Sequence, residues 1–356
     1  MTLPFDADVF RGRRILITGD TGFKGSWLAL WLNRMGADVW GFALPPEGER
    51  PHYSQLGLAN RITHRDGDIR NRGDIAGVMR DCQPEIVFHL AAQSLVKRSY
   101  ADPKLTFDTN FGGGVNLLDA LRDTPSVKVL VFITSDKCYL NKEWDWGYRE
   151  SDELGGLDPY SASKAATELA FKAYAASFLD ARPDLGAATT RAGNVIGGGD
   201  WAADRIVPDC IRALERNEAI RIRMPQATRP WQYVLEPLSG YLCLAARLLE
   251  DPIGYRGAWN FGPGEDSVRT VHQLTQQLVD HWGSGEIVVD MHPDQAYEAT
   301  LLHLSIDKAR NRLGWRPQWN VDRAIEECAV WYRSVIDGTD AYTASTRQLD
   351  VYMSGE

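Results

Sequence analysis

Short apolar runs alternate with amphipathic stretches through the first half of the chain. Arg14-Ile15-Leu16-Ile17-Thr18 is too short for a helix and too apolar for a surface loop, so it predicts a buried strand. Asp38–Ala43, Ile62–Arg65, Ile86–Leu90, Val129–Ile133 and Ala188–Arg191 repeat that pattern and predict five more. Helical patterns such as Asn116–Leu121 lie between them. Strand and helix in strict alternation predict an α/β fold of Rossmann type, a doubly wound parallel sheet with its ligand along the carboxyl ends of the strands. From Asn194 onward the alternation weakens. Glu236–Leu249 reads as a helix returning to the sheet, followed by a strand at Ala258–Phe261. Val271–Trp282 and Val321–Arg333 read as amphipathic helices of a smaller, mixed α/β unit. The expected division is residues 1–193 with 230–262 as a discontinuous sheet domain, 194–229 with 263–340 as a substrate domain, and 341–356 as a polar tail, disordered at its end.

Composition narrows the function classes. A chain of 356 residues, 44% hydrophobic and 24% charged, suits one large domain or two closely joined ones. No apolar run approaches the ~20 residues that span a bilayer. The start, Met1-Thr2-Leu3-Pro4-Phe5-Asp6, lacks a basic export signal, so a cytoplasmic protein is expected, without membrane contact. Five scattered cysteines fit a reducing compartment and neither a disulfide framework nor a zinc site. The seven histidines show no metal-ligand spacing, and no metal is expected. His89, inside an apolar strand, reads as a core residue. A net charge of −9 argues against nucleic acid as a partner, while a local basic site for an anionic small molecule is compatible with it.

Two clusters carry chemistry. After the first strand comes Gly19-Asp20-Thr21-Gly22-Phe23-Lys24-Gly25, then an apolar helix from about Ser26. Glycines at this spacing let the backbone turn tightly and approach a pyrophosphate resting on the helix N-terminus. No acid stands at the tip of the second strand, which runs into Leu44-Pro45-Pro46-Glu47, and no arginine stands there either. The choice between NAD and NADP is therefore open from these residues; Asp68, in Asp66-Gly67-Asp68-Ile69, is placed for the adenine edge. The second cluster is Thr134-Ser135-Asp136-Lys137-Cys138-Tyr139 together with Tyr160-Ser161-Ala162-Ser163-Lys164. Tyr160 and Lys164, at i and i+4, share one helix face, so the ammonium is expected to lower the phenol's pKa from about 10. Such a phenol takes a proton from an alcohol, which Ser135 would hold.

These residues resemble a known family. Thr18-Gly19-x-x-Gly22-x-x-Gly25 with Tyr160-x-x-x-Lys164 resembles the extended short-chain dehydrogenases/reductases that modify nucleotide sugars. Four segments narrow the likeness to CDP-glucose 4,6-dehydratases: Gly22–Trp27, Thr134–Tyr139, Arg191–Trp201 and Arg229–Pro237. The resemblance runs nearly the whole chain, to about Trp315-Arg316-Pro317. It implies tightly held NAD, reduced and reoxidised within one turnover, and CDP-4-keto-6-deoxyglucose as product, a precursor of deoxysugars in bacterial surface polysaccharides such as lipopolysaccharide O-antigen.

By the same resemblance, Asp136 would protonate the departing C6 hydroxyl and Lys137 would be the base at C5, where dTDP-glucose dehydratases carry a glutamate. Gly19, Thr21, Gly22, Phe23, Lys24 and Gly25 would hold the cofactor. Asp68 and Ile69, the segment Leu90-Ala91-Ala92, Asn110, and Tyr160 with Lys164 would complete its contacts. Gln93, Ser94, Ser135 and Glu298 would meet the substrate, with Asn194 and Arg229 on its diphosphate and Arg205 as a further candidate. A homodimer is implied, with the apolar faces of Asn116–Leu121 and of the helix from Tyr160 packed on a second subunit. The aromatic insert Asn141–Tyr148 either covers the hexose or packs as a surface loop. A nucleotide-sugar 4-epimerase, or a dehydratase for another nucleotide, would keep Tyr160 and Lys164, but an epimerase has no need of Asp136 and Lys137. A dinucleotide-sensing regulator would need none of the four.

Overall fold

The computed structural model describes residues 3–264, 267–290 and 302–355. The chain opens with β1 (Arg14–Thr18), α1 (Phe23–Arg34), β2 (Asp38–Ala43), the short α2 (His52–Gln55) and β3 (Thr63–Asp66). It continues with α3 (Arg72–Cys82), β4 (Ile86–His89), α4 (Val96–Ala101), α5 (Pro103–Phe107), α6 (Gly113–Arg122), β5 (Val129–Ile133), α7 (Pro159–Tyr174) and β6 (Gly186–Ala192). Strands β7 (Val195–Ile196), β8 (Ile220–Ile222), β9 (Thr228–Pro230) and β10 (Gln232–Tyr233) surround α8 (Ile206–Glu215); then come α9 (Leu235–Glu250) and β11 (Gly257–Phe261). The last elements are β12 (Val268–Thr270), α10 (Val271–Trp282), β13 (Ile287–Val289), α11 (Val321–Ile336) and α12 (Ala341–Ser354).

Seven strands form one sheet in the order β11-β6-β5-β4-β1-β2-β3, all parallel. This is the doubly wound arrangement that the alternation predicts. Side chains of a strand alternate between faces, and both faces here are covered. Ile15 and Ile17 of β1 pack with Trp27 and Trp31 of α1 and with Leu242 of α9. Leu16 points the other way, into a layer with Ile75 and Val78 of α3, Leu117 and Leu121 of α6 and Phe171 of α7. The order of strands reverses between β1 and β4, so a crevice opens at their carboxyl ends.

Two expectations are corrected. The segment 341–356 is no loose tail: α12 starts on Asp340, whose carboxylate accepts from Thr343 N, and it buries Leu349 and Tyr352. Its composition reads as polar because its inner face is hydrogen-bonded. Ser345 Oγ accepts from Trp331 Nε1 at 2.9 Å, Gln348 Nε2 donates to Glu327 Oε2 at 2.7 Å, and Tyr352 Oη donates to Glu236 Oε2 at 2.8 Å. The apolar face of Asn116–Leu121 is likewise no free surface, because Leu117, Leu118 and Leu121 are buried in the chain's own core.

Candidate active site

The glycine loop folds against the segment after β4 at the sheet's reversal point. Gly19 has φ +80°, and a Cβ there would lie 2.7 Å from Ala91 N. A Cβ on Gly25 would lie 2.1 Å from Gly19 O, so both positions demand glycine. Leu90 N donates to Thr18 O at 2.9 Å and Ala91 N to Thr18 Oγ1 at 3.2 Å, which ties the two segments; Ala92 is half-buried beside them. Thr21 Oγ1 donates to Leu44 O at 3.0 Å. Gly22 is the N-cap of α1 and brings no side-chain cap, leaving the first-turn N–H groups, including those of Phe23 and Lys24, for a ligand. This cradle fits the pyrophosphate of a dinucleotide. His89 is the core histidine expected: it sits 2.7 Å from Thr18 Oγ1, and burial pushes it down to about 3.

Beyond β3, Asp68 is held by Arg70, whose Nε donates to both carboxylate oxygens at 3.0 and 2.9 Å and keeps Asp68 below the usual range. Ile69 is buried in the core against Gly113. One acid in the loop escaped sequence reasoning. Asp20 is fully buried, and its Oδ2 pairs with His64 Nδ1 at 2.7 Å. It fills the space where a side chain on Gly41 would stand, so that glycine in β2 was the only sign of it.

The second cluster forms at the carboxyl end of β5. Ser135 Oγ donates to Asp136 Oδ1 at 2.9 Å and accepts from Lys137 N at 3.2 Å, fixing the turn that follows the strand. Across from it, Asp158 caps α7 by accepting from Ser161 N at 2.9 Å, and Pro159 occupies the first helical position. Tyr160 and Lys164 are consequently buried on one face of α7, with the Tyr160 phenol near enough to the Ser135 hydroxyl to feel it. Burial pushes the Tyr160 phenol up to about 12, outweighing the Ser135 hydroxyl that pulls it down. The expected lowering from about 10 is thus corrected: loss of water outweighs the nearby guanidinium of Arg205. Burial also pushes Lys164 down to about 8, opposed by Cys138 and Glu168. Asp136 is buried, and loss of water raises its carboxyl above the usual range despite Lys137 and the Ser135 hydrogen bond. Lys137 itself is half-buried.

The other predicted residues divide into two groups. Gln93 and Asn110 serve the protein itself. Asn110 Oδ1 accepts from Gln93 N at 2.8 Å, and its Nδ2 donates to Gln93 O at 3.1 Å and Ser163 Oγ at 2.9 Å. Gln93 Nε2 donates to Leu95 O at 3.1 Å and Thr106 Oγ1 at 2.9 Å. Arg205, by contrast, joins the site: Nη1 donates to Asp200 Oδ2 at 2.8 Å, Nη2 reaches the exposed Ser94 at 3.3 Å, and its charge is felt at Tyr160. Asn194 is half-buried beyond β6, and its carbonyl accepts from Gln232 N at 3.2 Å. Arg229 lies in β9, with Nη1 donating to Thr228 O at 2.8 Å. Glu298 lies outside the described residues.

The aromatic insert is packed in part. Tyr148 is buried and stacks on Tyr139 at 5.2 Å between ring centroids, with Trp144 at 5.1 Å on Tyr148, while Trp146 remains exposed.

A sequence profile of the GDP-mannose 4,6-dehydratase family matches residues 16–328. The chain belongs to that family. The CDP-glucose 4,6-dehydratase of Salmonella typhimurium is 42% identical over 98% of each chain. The CDP-paratose 2-epimerase of Salmonella typhi is 30% identical, over 90% of this chain and 100% of the relative. Among solved structures, a dTDP-glucose 4,6-dehydratase from Streptomyces venezuelae with NAD bound superposes with a TM-score of 0.77 at 25% identity, covering 90% of this chain and 97% of its own. The UDP-glucose 4-epimerase of Thermotoga maritima shares the fold at a TM-score of 0.78 and 23% identity, over 90% and 99% of the two chains.

Behind the cluster of this dehydratase-family chain lies a support that sequence reasoning missed. Glu168, one turn beyond Lys164, and Arg191 of β6 form a buried ion pair. Arg191 Nη2 donates to Oε2 at 2.7 Å and Nε to Oε1 at 3.0 Å. Thr134 Oγ1 donates to Glu168 Oε1 at 2.5 Å, so the pair grips the residue before Ser135. A glutamate at i+4 from Lys164 and an arginine in an apolar strand were the available signals.

Proposed function

We propose that this chain is an NAD-dependent CDP-glucose 4,6-dehydratase that converts CDP-D-glucose to CDP-4-keto-6-deoxy-D-glucose and water. The observation that carries the reading is a buried acid, Asp136, hydrogen-bonded to Ser135 at 2.9 Å at the carboxyl end of β5. Oxidation at C4 alone needs only the phenol, the serine and Lys164; a carboxyl raised by burial beside them suits the loss of a hydroxyl. The 42% identity to a CDP-glucose 4,6-dehydratase supports the substrate, and the NAD in a relative at 25% identity supports the cofactor.

NAD, held by the glycine loop and the 90–92 segment, supplies the acceptor for the C4 hydride, its return to C6, and a positive charge in the cleft. Ser135 orients the C4 hydroxyl and Tyr160, on the helix face it shares with Lys164, takes its proton. The resulting ketone acidifies C5–H. Lys137 removes that proton while Asp136 protonates the C6 hydroxyl, and Lys137 later returns a proton to C5. Asn194 and Arg229 hold the diphosphate, Arg229 through the planar fork of its guanidinium. Arg205 and Ser94 close the sugar end, and Glu298 meets the pyrimidine or ribose. Gln93 and Asn110 act by shaping the loop after β4.

The protein works in the cytoplasm as a homodimer. Five unpaired cysteines fit a reducing compartment, and among the described residues no helix is long and apolar enough to cross a membrane. Exposed Phe107, Phe111 and Leu169, on neighbouring helical segments, favour a partner surface. Incubating the purified protein with CDP-, dTDP-, GDP- and UDP-glucose tests the reading. A 4-keto-6-deoxy product from CDP-glucose supports it, product from another nucleotide alone changes the substrate, and a C4 epimer refutes it.

A further inference from the structure

We propose that the ion pair of Lys97 with Asp204 is the outer fastening of a polar clasp that keeps the dinucleotide in its crevice through the whole redox cycle. This deepens the NAD-dependent reading and rests on it. The glycine loop is the floor of that crevice, and two walls are fixed to it by contact. On one side a Cβ on Gly19 would meet Ala91 N at 2.7 Å, and Ala91 N donates to Thr18 Oγ1 at 3.2 Å. On the other side Thr21 Oγ1 donates to Leu44 O at 3.0 Å. These walls follow β4 and β2, which flank β1 in the sheet and stand about 10 Å apart, two strand spacings.

The stretches of chain running on from the two walls meet each other. Arg98, in α4, reaches Glu47, beyond β2, with 3.4 Å between Nη1 and Oε2. The loop before α8 and the helix itself are then fastened to both walls. Toward the β4 wall, Lys97 Nζ donates to Asp204 Oδ1, and beside it Arg205 Nη2 donates to Ser94 Oγ at 3.3 Å. Toward the β2 wall, Arg50 grips Glu215 with Nη1 and Nη2 at 2.9 and 2.8 Å. The same guanidinium lies 3.8 Å from the centroid of the Trp201 ring. Residues 47–50, 94–98 and 201–215 thus hold one another in a closed ring around the crevice.

The turn that carries Asp204 is built for this contact. Asp204 stands in the left-handed region at φ +63°, an uncommon conformation for a residue with a side chain. Buried Asp200 shapes the turn from within, accepting from Ala202 N at 3.2 Å and from Arg205 Nη1 at 2.8 Å. Tyr332 Oη anchors it by donating to Asp200 O at 2.5 Å. Neighbouring residues of one turn therefore make two parallel ties, Asp204 to Lys97 and Arg205 to Ser94. A single exposed ion pair contributes little, but in a ring each tie holds the others in register. An enzyme that takes a hydride from C4 and returns it to C6 must not exchange its cofactor between the two steps. A clasp that slows exchange keeps both steps on one dinucleotide.

The test reads cofactor release, apart from turnover. Intact protein loaded with NADH is mixed with excess NAD, and the decay of nicotinamide fluorescence gives the dissociation rate. Lys97→Met and Asp204→Asn should each speed release about two- to fivefold at low salt; asparagine is chosen because it tolerates the left-handed region. The double variant should be no faster than either single one, since both remove the same pair. In about 1 M salt the difference from the unaltered protein should vanish. Asp184→Asn breaks a comparably exposed pair with Lys128 at the amino end of β5, and should leave release unchanged. Release unchanged in both single variants, or speeded as much by Asp184→Asn, would overturn the proposal. So would a double variant whose effect is the product of its singles. If the unaltered protein takes up no NADH, the dinucleotide reading fails and takes the clasp with it, a result seen before any variant is made.

Discussion

Replacing Arg191 by methionine breaks the ion pair that lies behind β5. Both side chains of the pair are only 3% exposed. The substitution removes the two charge-assisted hydrogen bonds to Glu168, at 2.7 and 3.0 Å, together with Nη1 donation to Tyr139 Oη at 2.7 Å and Glu150 O at 3.2 Å, and leaves Glu168 with the hydroxyls of Thr134 and Thr189. Two such bonds at about 1.5–3 kcal/mol each give about 3–6 kcal/mol. Breaking a buried pair from one side independently suggests about 3–5 kcal/mol, since an unpaired charge stays behind. Neutralising the partner as well, in Glu168→Gln/Arg191→Met, should recover at least half, because the uncompensated carboxylate is gone. Urea unfolding of the four proteins at neutral pH measures this as midpoint shifts at constant slope. A single-variant loss below about 1 kcal/mol, or a double variant as unstable as the sum of its singles, would refute the reasoning.

Three more outcomes follow from named contacts. Lys137→Ala should stop exchange of the C5 hydrogen with solvent while leaving bound cofactor reducible by CDP-glucose, checked by mass spectrometry in deuterated buffer; unchanged dehydration removes the assignment. Burial raises Glu236 from 4.5 to about 7, so the folded state binds the extra proton and stability falls as pH rises through that window, by about 3 kcal/mol in all. The stability difference between the unaltered protein and Glu236→Gln should shift by that amount between pH 4.5 and 7, and a constant difference contradicts it. Leu349→Ala, in the helix that composition alone suggested was a tail, should cost about 2–5 kcal/mol in a thermal or urea melt.

The sheet was legible because its strands are continuous apolar runs, the form taken by strands covered on both faces; β1, β2 and β5 lie where the pattern places them. The glycine loop and the Tyr160–Lys164 pair were legible because each needs fixed local spacing. What was hidden depends on pairing across distance. Asp20 reads as a loop residue until Gly41 is seen to make room for it. Helix α12 reads as polar because its inward face is satisfied by Glu327, Trp331 and Glu236, which lie elsewhere in the sequence. The phenol of Tyr160 was misjudged in the same way: spacing reveals a nearby lysine but says nothing of the water lost on burial, which here is the larger influence.

The internal redox cycle admits one direct measurement: turnover of CDP-glucose deuterated at C4, with the product examined by NMR. Dehydration around Tyr160, Asp136 and Lys137 predicts a 4-keto-6-deoxy sugar with the deuterium moved to C6. Deuterium retained at C4 of an epimerised hexose, or a keto product with no deuterium at C6, would contradict the account.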